Sequence, residues 1–176
     1  MQASPERMKL RGRDDQDLLV LSTLLQDALV PQSQIRYQAG ERRFVLLANR
    51  FRWESRPEAP PPPLEEGADA SFEQDAAALG PQLAKTESET GQVYSRVICG
   101  LCFDRVRAVR SRGLGDRDQP LSLLTVTRGL AAWLLSFSGG AEIRLEGPAI
   151  VVHMEDLGEA WPTRWRPSHP VPEAED

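Results

Sequence analysis

Val93-Tyr94-Ser95-Arg96-Val97-Ile98-Cys99-Gly100-Leu101-Cys102-Phe103-Asp104 is the stretch that decides the fold class. Val93, Val97, Cys99, Leu101 and Phe103 fall on one side of a two-residue repeat, and Tyr94, Arg96 and Asp104 fall on the other. Successive side chains of an extended chain point to opposite sides, so this period predicts a strand with one buried face. Beyond Asp104 the inward parity changes, because Val106 and Ala108 now oppose Arg105 and Arg107. A turn or bulge is therefore expected at Asp104-Arg105.

The same reading continues toward the C-terminus. Leu121 to Thr127 and Leu130 to Phe137 form further strands, the second with Trp133, Leu135 and Phe137 on one face. Ser138-Gly139-Gly140 makes a tight turn, Glu142 to Glu146 alternates, and Gly147-Pro148 turns again. Ile150, Val152 and Met154 then face inward on a last strand, closed by Asp156-Leu157-Gly158. Trp161-Pro162-Thr163-Arg164-Trp165-Arg166-Pro167 reads as extended and amphipathic. Short strands at about 8–12-residue spacing with turn signals between them predict an antiparallel sandwich or barrel. There is no alternation of strand and helix, which argues against a doubly wound nucleotide-binding sheet, and there is no repeat at a fixed period.

Upstream, Ile35 to Tyr37 and Arg43 to Trp53 predict a hairpin around Ala39-Gly40-Glu41. In its second strand Val45, Leu47, Phe51 and Trp53 are expected on the apolar face and Arg50 and Arg52 on the other, which leaves Asn49 as a partnered buried amide or a bulge. Before the hairpin, Leu18, Leu21, Leu25, Ala28 and Leu29 recur at helical spacing between a cap at Asp14 or Asp15 and a stop at Pro31. Met8 to Arg11 alternates like a short strand. The expected fold is thus α+β, an N-terminal amphipathic helix packed on an antiparallel β-sandwich or incomplete barrel.

Charge divides the chain into regions. Its 176 residues carry a formal −5, and a length near ~150 suits one domain. Residues 54–92 hold nine acidic residues against Arg56 and Lys85, with four consecutive prolines at 60–63 and one large apolar ring, Phe72. Such a stretch buries too little surface to offset its ordering entropy, so it is expected to be a flexible acidic insertion. Residues 1–53 and 93–166 make one discontinuous domain, and 167–176 a solvated tail. The two domain pieces carry +3 and +2, the insertion −7 and the tail −3. The overall negative sign therefore does not exclude anionic partners, and the insertion is expected to shield a basic body.

Several functions can be set aside. The longest apolar runs, Phe44 to Ala48 and Leu130 to Leu135, fall far short of the ~18 residues of a membrane span, and residues 1–17 contain no signal-like apolar core. Two cysteines do not make an extracellular disulfide framework. The expected location is the cytoplasm. Cys99 and Cys102 have CxxC spacing, but i and i+3 of a strand point to opposite faces and no further zinc ligands match. His153 lacks a partner nucleophile, and His169 lies among prolines. Gly113-Leu114-Gly115 leads into Asp116 to Pro120 rather than a helix, so it is a turn and not a phosphate loop. Asp116 and Asp118 could hold a hard cation, although such a surface loop is usually only solvated. No catalytic, cofactor or metal residues emerge. The arginines remain: Arg50 and Arg52 flank Phe51 and precede Trp53, while Arg105, Arg107, Arg110 and Arg112 follow one another on another strand region. Their ordinary explanation is a solvated face paired with Glu142, Glu146 or the acidic insertion.

Arg43-Phe44-Val45-Leu46 with Asn49-Arg50-Phe51-Arg52-Trp53-Glu54, and Ala108 to Gly113, resemble an alphaproteobacterial family of unknown function, number 2948. Leu121-Ser122-Leu123-Leu124, Gly139 to Glu146 and Glu155-Asp156-Leu157-Gly158 with Ala160-Trp161 fit it too. The resemblance covers most of the chain outside 54–92. It implies a small cytoplasmic bacterial protein and carries no activity, cofactor or catalytic residue. The functional expectation is a non-enzymatic binding or adaptor module with a protein partner, using a surface that bears Arg50, Arg52, Trp53, Arg110, Arg112, Trp161, Arg164 and Trp165. RNA or a phosphate-bearing ligand is the alternative, and an enzyme whose site assembles only in three dimensions the second.

Overall fold

The computed structural model describes residues 7–55, 93–117 and 119–167. The expected insertion (apart from Glu54 and Ser55), the tail beyond Pro167, Asp118 and His169 lie outside the described residues. Among the described residues, ten strands and one α-helix follow in the order β1 (Lys9–Gly12), α1 (Asp15–Leu25), β2 (Ala28–Pro31), β3 (Ile35–Gln38), β4 (Arg43–Phe51), β5 (Tyr94–Asp104), β6 (Ala108–Arg112), β7 (Pro120–Arg128), β8 (Ala132–Phe137), β9 (Glu142–Glu146) and β10 (Val151–Thr163). All pairings are antiparallel. The sheet runs β1-β10-β5-β4-β2-β7-β8-β9-β6, with β3 also on β4. It is open, since β1 and β6 are not joined.

The inward sides of β5, β8, β9 and β10 are as the alternation predicts: Val97, Cys99, Leu101 and Phe103, then Trp133, Leu135 and Phe137, then Ile143 and Leu145, then Val152 and Met154. All but Val97 belong to one apolar cluster with Leu18, Leu21 and Leu25 of α1. Phe103 and Trp133, on strands four places apart in the sheet, meet edge-on at 5.9 Å. The expected turn after Asp104 is present and places Arg105 in the left-handed region at φ 66°.

Two expectations are corrected. The helix does not reach Pro31. Asp14 caps it by accepting the Asp17 N–H at 2.9 Å, but it stops at Leu25, and Asp27 is left-handed at φ 58° with its N–H given to the Leu123 carbonyl. An acidic residue tolerates this conformation better than most, and it ends a helix. Ala28 and Leu29 therefore start β2, which β7 and β4 claim from both sides. The second correction is the parity of β4. Phe44, Leu46, Ala48 and Arg50 face the core, while Val45, Leu47 and Asn49 face the other side, where Phe51 is nonetheless buried against Trp53 and Tyr94. Phe44 to Ala48 is apolar on both sides, so alternation cannot choose between them, and the choice falls to the ion pairs that let Arg50 be buried. Asn49 makes no bulge: β4 stays in register with β5 from Arg43 to Phe51. Its carbonyl accepts from Arg96 at 3.4 Å, and its side-chain Oδ1 has no hydrogen-bond partner among the described residues.

β10 carries the main irregularity. Leu157 pairs with Ile98 and Trp161 with Arg96, so β10 spends four residue steps where β5 spends two. Gly158, at φ 76°, provides the left-handed residue that the detour needs.

Candidate functional site

Residues opposite each other on antiparallel strands share a face. The register therefore sets out the outer surface of β4, β5 and β10 row by row. Val45, Cys102 and His153 form one row, then Leu47, Gly100 and Glu155, then Asn49, Ile98 and Leu157, then Phe51, Arg96 and Trp161. Thr163 opposite Tyr94 continues it. Ile98, Leu157, Trp161 and the nearby Trp165 are 36–42% exposed, although each is large and apolar. Four such side chains close together on one sheet are a surface with a use rather than scattered exposure.

Gly100 shapes the middle of this face. A Cβ there would come within 3.3 Å of Leu157 Cδ1 and 3.8 Å of Leu47 Cδ2, so the absence of a side chain leaves a depression with leucines at its sides. The resulting groove, about 580 Å³, is bordered by Arg36, Gln34 and the Lys9–Glu155 ion pair at 2.8 Å.

Aromatic rings and cations crowd the far end. Phe51 lies 4.6 Å from Trp53 and 5.5 Å from Tyr94, with the Arg96 guanidinium 5.9 Å from its centroid. Arg166 lies 5.8 Å from the Tyr94 ring. Arg96 is buried, and burial pulls its guanidinium below the ordinary range against the opposing attraction of Asp27. Trp53 is held by an Nε1–H bond to the Gln26 carbonyl at 3.1 Å. The ends of the undescribed segment 56–92, Ser55 and Val93, leave from this same corner.

The family described as "Protein of unknown function (DUF2948)" matches residues 8–169. The chain belongs to that family. No curated protein and no solved structure matches it. Among the described residues of this DUF2948 member, no helix is long and apolar enough to cross a membrane, and no group of three His, Cys, Asp or Glu side chains is placed to hold a metal ion.

The structure divides the sequence-predicted surface of the DUF2948 chain into three parts. Trp53 and Trp161 belong to the aromatic corner, the exposed Arg164 and Trp165 follow directly after β10, and Arg52 pairs with Glu54 at 3.6 Å. Arg110 and Arg112 do not: they lie on β6, seven places from β10 in the sheet, and pair with Glu146 at 3.1 Å and Glu142 at 2.6 Å. Those are the partners their ordinary explanation names. Arg50 belongs to no surface, being 0% exposed. Its Nε and Nη2 donate to Asp156 Oδ1 and Oδ2 at 2.8 and 2.7 Å, and its Nη1 and Nη2 donate to Glu54 Oε2 and Oε1 at 3.0 and 2.8 Å. Burial alone would lower its pKa, yet the hydrogen bonds to Asp156 and Glu54 outweigh that and raise it. Arg50 thus ties β4 to β10 and to the turn that follows β4.

The remaining candidates are structural. Cys99 is buried, and burial pushes its thiol up to about 12. Cys102 points to the opposite face, half-buried, with its pKa also raised by burial and by Asp104. His153 is exposed with Nε2 3.6 Å from Asp104 Oδ2. Gly113 is a turn glycine at φ 66°. Sequence reasoning missed Ile98 and Leu157, the exposed middle of the face, and Tyr94 and Arg96. Their signal was present in the apolar residue Ile98, which interrupts the outward series of β5.

Proposed function

We propose that the chain is a non-enzymatic binding module that takes an extended acidic segment of a partner protein, carrying aliphatic or aromatic side chains, on the outer face of β4, β5 and β10. The observation that carries this reading is the run of exposed Ile98, Leu157, Trp161 and Trp165 beside Arg96, Arg164 and Arg166, which no described segment of the chain covers. Apolar side chains would seat in the Gly100 depression, and carboxylates would meet the exposed guanidinium groups of Arg164 and Arg166. In this reading the ten strands form an incomplete barrel with α1 packed against it, a rigid support for a site made on strands. The module works in the bacterial cytoplasm, where its two free thiols stay reduced.

Titration with acidic-aliphatic peptides and their basic counterparts, read by tryptophan emission, tests the proposal. Acidic peptides are expected to bind, and Ile98→Asp or Trp161→Ala to abolish binding while leaving the unfolding midpoint unchanged. Equal binding of basic peptides, or indifference to both substitutions, overturns it. Tighter binding of single-stranded RNA, with steep salt dependence and loss in Trp161→Ala, overturns it in favour of stacking on bases.

A further inference from the structure

A second concavity, about 400 Å³, lies where three connections meet, and its walls are Glu41, Arg42, Asp104, Arg105, Arg107 and Pro148. Both carboxylates there are already occupied, because Arg43 donates from Nη1 to Glu41 at 3.0 Å and from Nε to Asp104 at 2.9 Å. Arg42, Arg105 and Arg107 have no acidic partner among the described residues. Three exposed arginines without an acidic partner among the described residues thus line one small concavity, whereas the β6 arginines each face a glutamate.

The frame that presents them is rigid. The Arg42 carbonyl accepts the Val106 N–H at 2.8 Å, and the Arg107 N–H is given to the Glu146 carbonyl at 2.7 Å. The Tyr37 hydroxyl donates to the Arg107 carbonyl at 2.8 Å, with the Val106 carbonyl at 3.2 Å, while the Val106 side chain is fully buried. Arg42 and Arg105 both have left-handed backbones, at φ 52° and 66°. Side-chain-bearing residues seldom adopt that conformation, and it concentrates at sites where a group must be aimed. Gly147 completes the frame, since a Cβ on it would lie 2.5 Å from the Arg105 carbonyl oxygen.

We infer that this concavity binds a phosphomonoester dianion through Arg42, Arg105 and Arg107. Guanidinium groups donate paired N–H bonds to phosphate oxygens, and a fixed fork loses little freedom on binding. A dianion suits three cations better than a carboxylate or the single charge of a phosphodiester. The concavity, small and with Pro148 on one wall, suits a terminal group better than a strand of nucleic acid. This site lies among the turns that end β3, β5 and β9 and is independent of the peptide-binding face.

Titration of the full chain with inorganic phosphate, glucose 6-phosphate and a phosphoserine peptide, followed by ³¹P line broadening at low ionic strength, tests the inference. Saturable binding is expected. Arg107→Gln and Arg105→Asn, the latter chosen because Asn tolerates the left-handed backbone, should each weaken it by about tenfold or more, the scale of a lost charge-assisted bond. The Arg110→Ala/Arg112→Ala double variant should leave it unchanged. A phosphosugar or phosphopeptide that binds more tightly than inorganic phosphate identifies the source of the group. The absence of saturable binding to the wild-type chain overturns the inference. So does equal binding of chloride, or equal weakening in the β6 double variant.

Discussion

Arg50→Met removes the cation of the buried pair while keeping an unbranched apolar side chain beside Met8, whose Sδ is 3.7 Å from Nη2. The substitution deletes four N–H bonds at 2.7–3.0 Å. Glu54, whose side chain is 29% exposed, can turn to water, but Asp156, at 8%, cannot. One carboxylate is left buried and uncompensated, a loss of about 3–5 kcal/mol. For a chain of this size, at roughly 2–4 °C per kcal/mol, that lowers the melting temperature by about 6–20 °C. Urea unfolding followed by tryptophan emission measures it. Replacing both partners, Arg50→Met with Asp156→Leu, should recover most of the loss, because an apolar pair of similar volume is no worse than the ion pair it replaces. An Arg50→Met loss below about 1 kcal/mol, or a double variant no better than the single one, would refute the view that Arg50 is a structural hub.

Three further outcomes follow from the same packing and ion pairs. Burial works to raise the Glu54 carboxyl, but the Arg50 hydrogen bonds prevail and hold it below its ordinary 4.5, so it contributes stability above that pH that is lost as pH falls through its folded value; Glu54→Gln should flatten the acid limb of a stability–pH curve, and an unchanged limb counts against the assignment. Gly147→Ala drives a methyl group against the Arg105 carbonyl 2.5 Å away and should cost about 1–3 kcal/mol, measured by the same urea series, whereas Gly40→Ala, with nothing within 4 Å, should cost far less. Native protein treated with iodoacetamide at pH 8 should take label only at Cys102, since Cys99 is buried with its thiol at about 12, and the second label should need denaturant; mass spectrometry showing two labels in native protein would be incompatible with the core as described.

Legibility followed the chemistry of single strands. β5, β8 and β10 could be read because only one side of each inner stretch is continuously apolar. β4 could not, because Phe44, Leu46 and Ala48 compete with Val45 and Leu47, and the residue that settles it, Asp156, is 106 positions from Arg50. The helix end was hidden because Ala28 continues a helical spacing, while Asp27 gives its N–H to a strand about a hundred residues later. At the candidate site, the tryptophans were visible as residue types, and the register of β10 gathers them beside Tyr94. Arg110 and Arg112 looked equivalent to them, yet their glutamates stand across the β6–β9 ladder. Arg42 and Arg105 converge only through left-handed turns, which side-chain composition does not announce.

The detour in β10 also bears on how this chain can change length. Between Leu157 and Trp161 the strand spends two residues more than its partner. Two is an even number, so Trp161 emerges on the same side as Leu157. A loss or gain of one residue at Gly158–Ala160 would rotate everything after it by half a repeat and carry Trp161 to the other side of the sheet, while leaving the pairing of 151–157 untouched. A change of two residues would preserve the arrangement. The segment is thus a parity gate for insertions and deletions: length can drift there in pairs, and single steps dismantle the aromatic corner without disturbing the core.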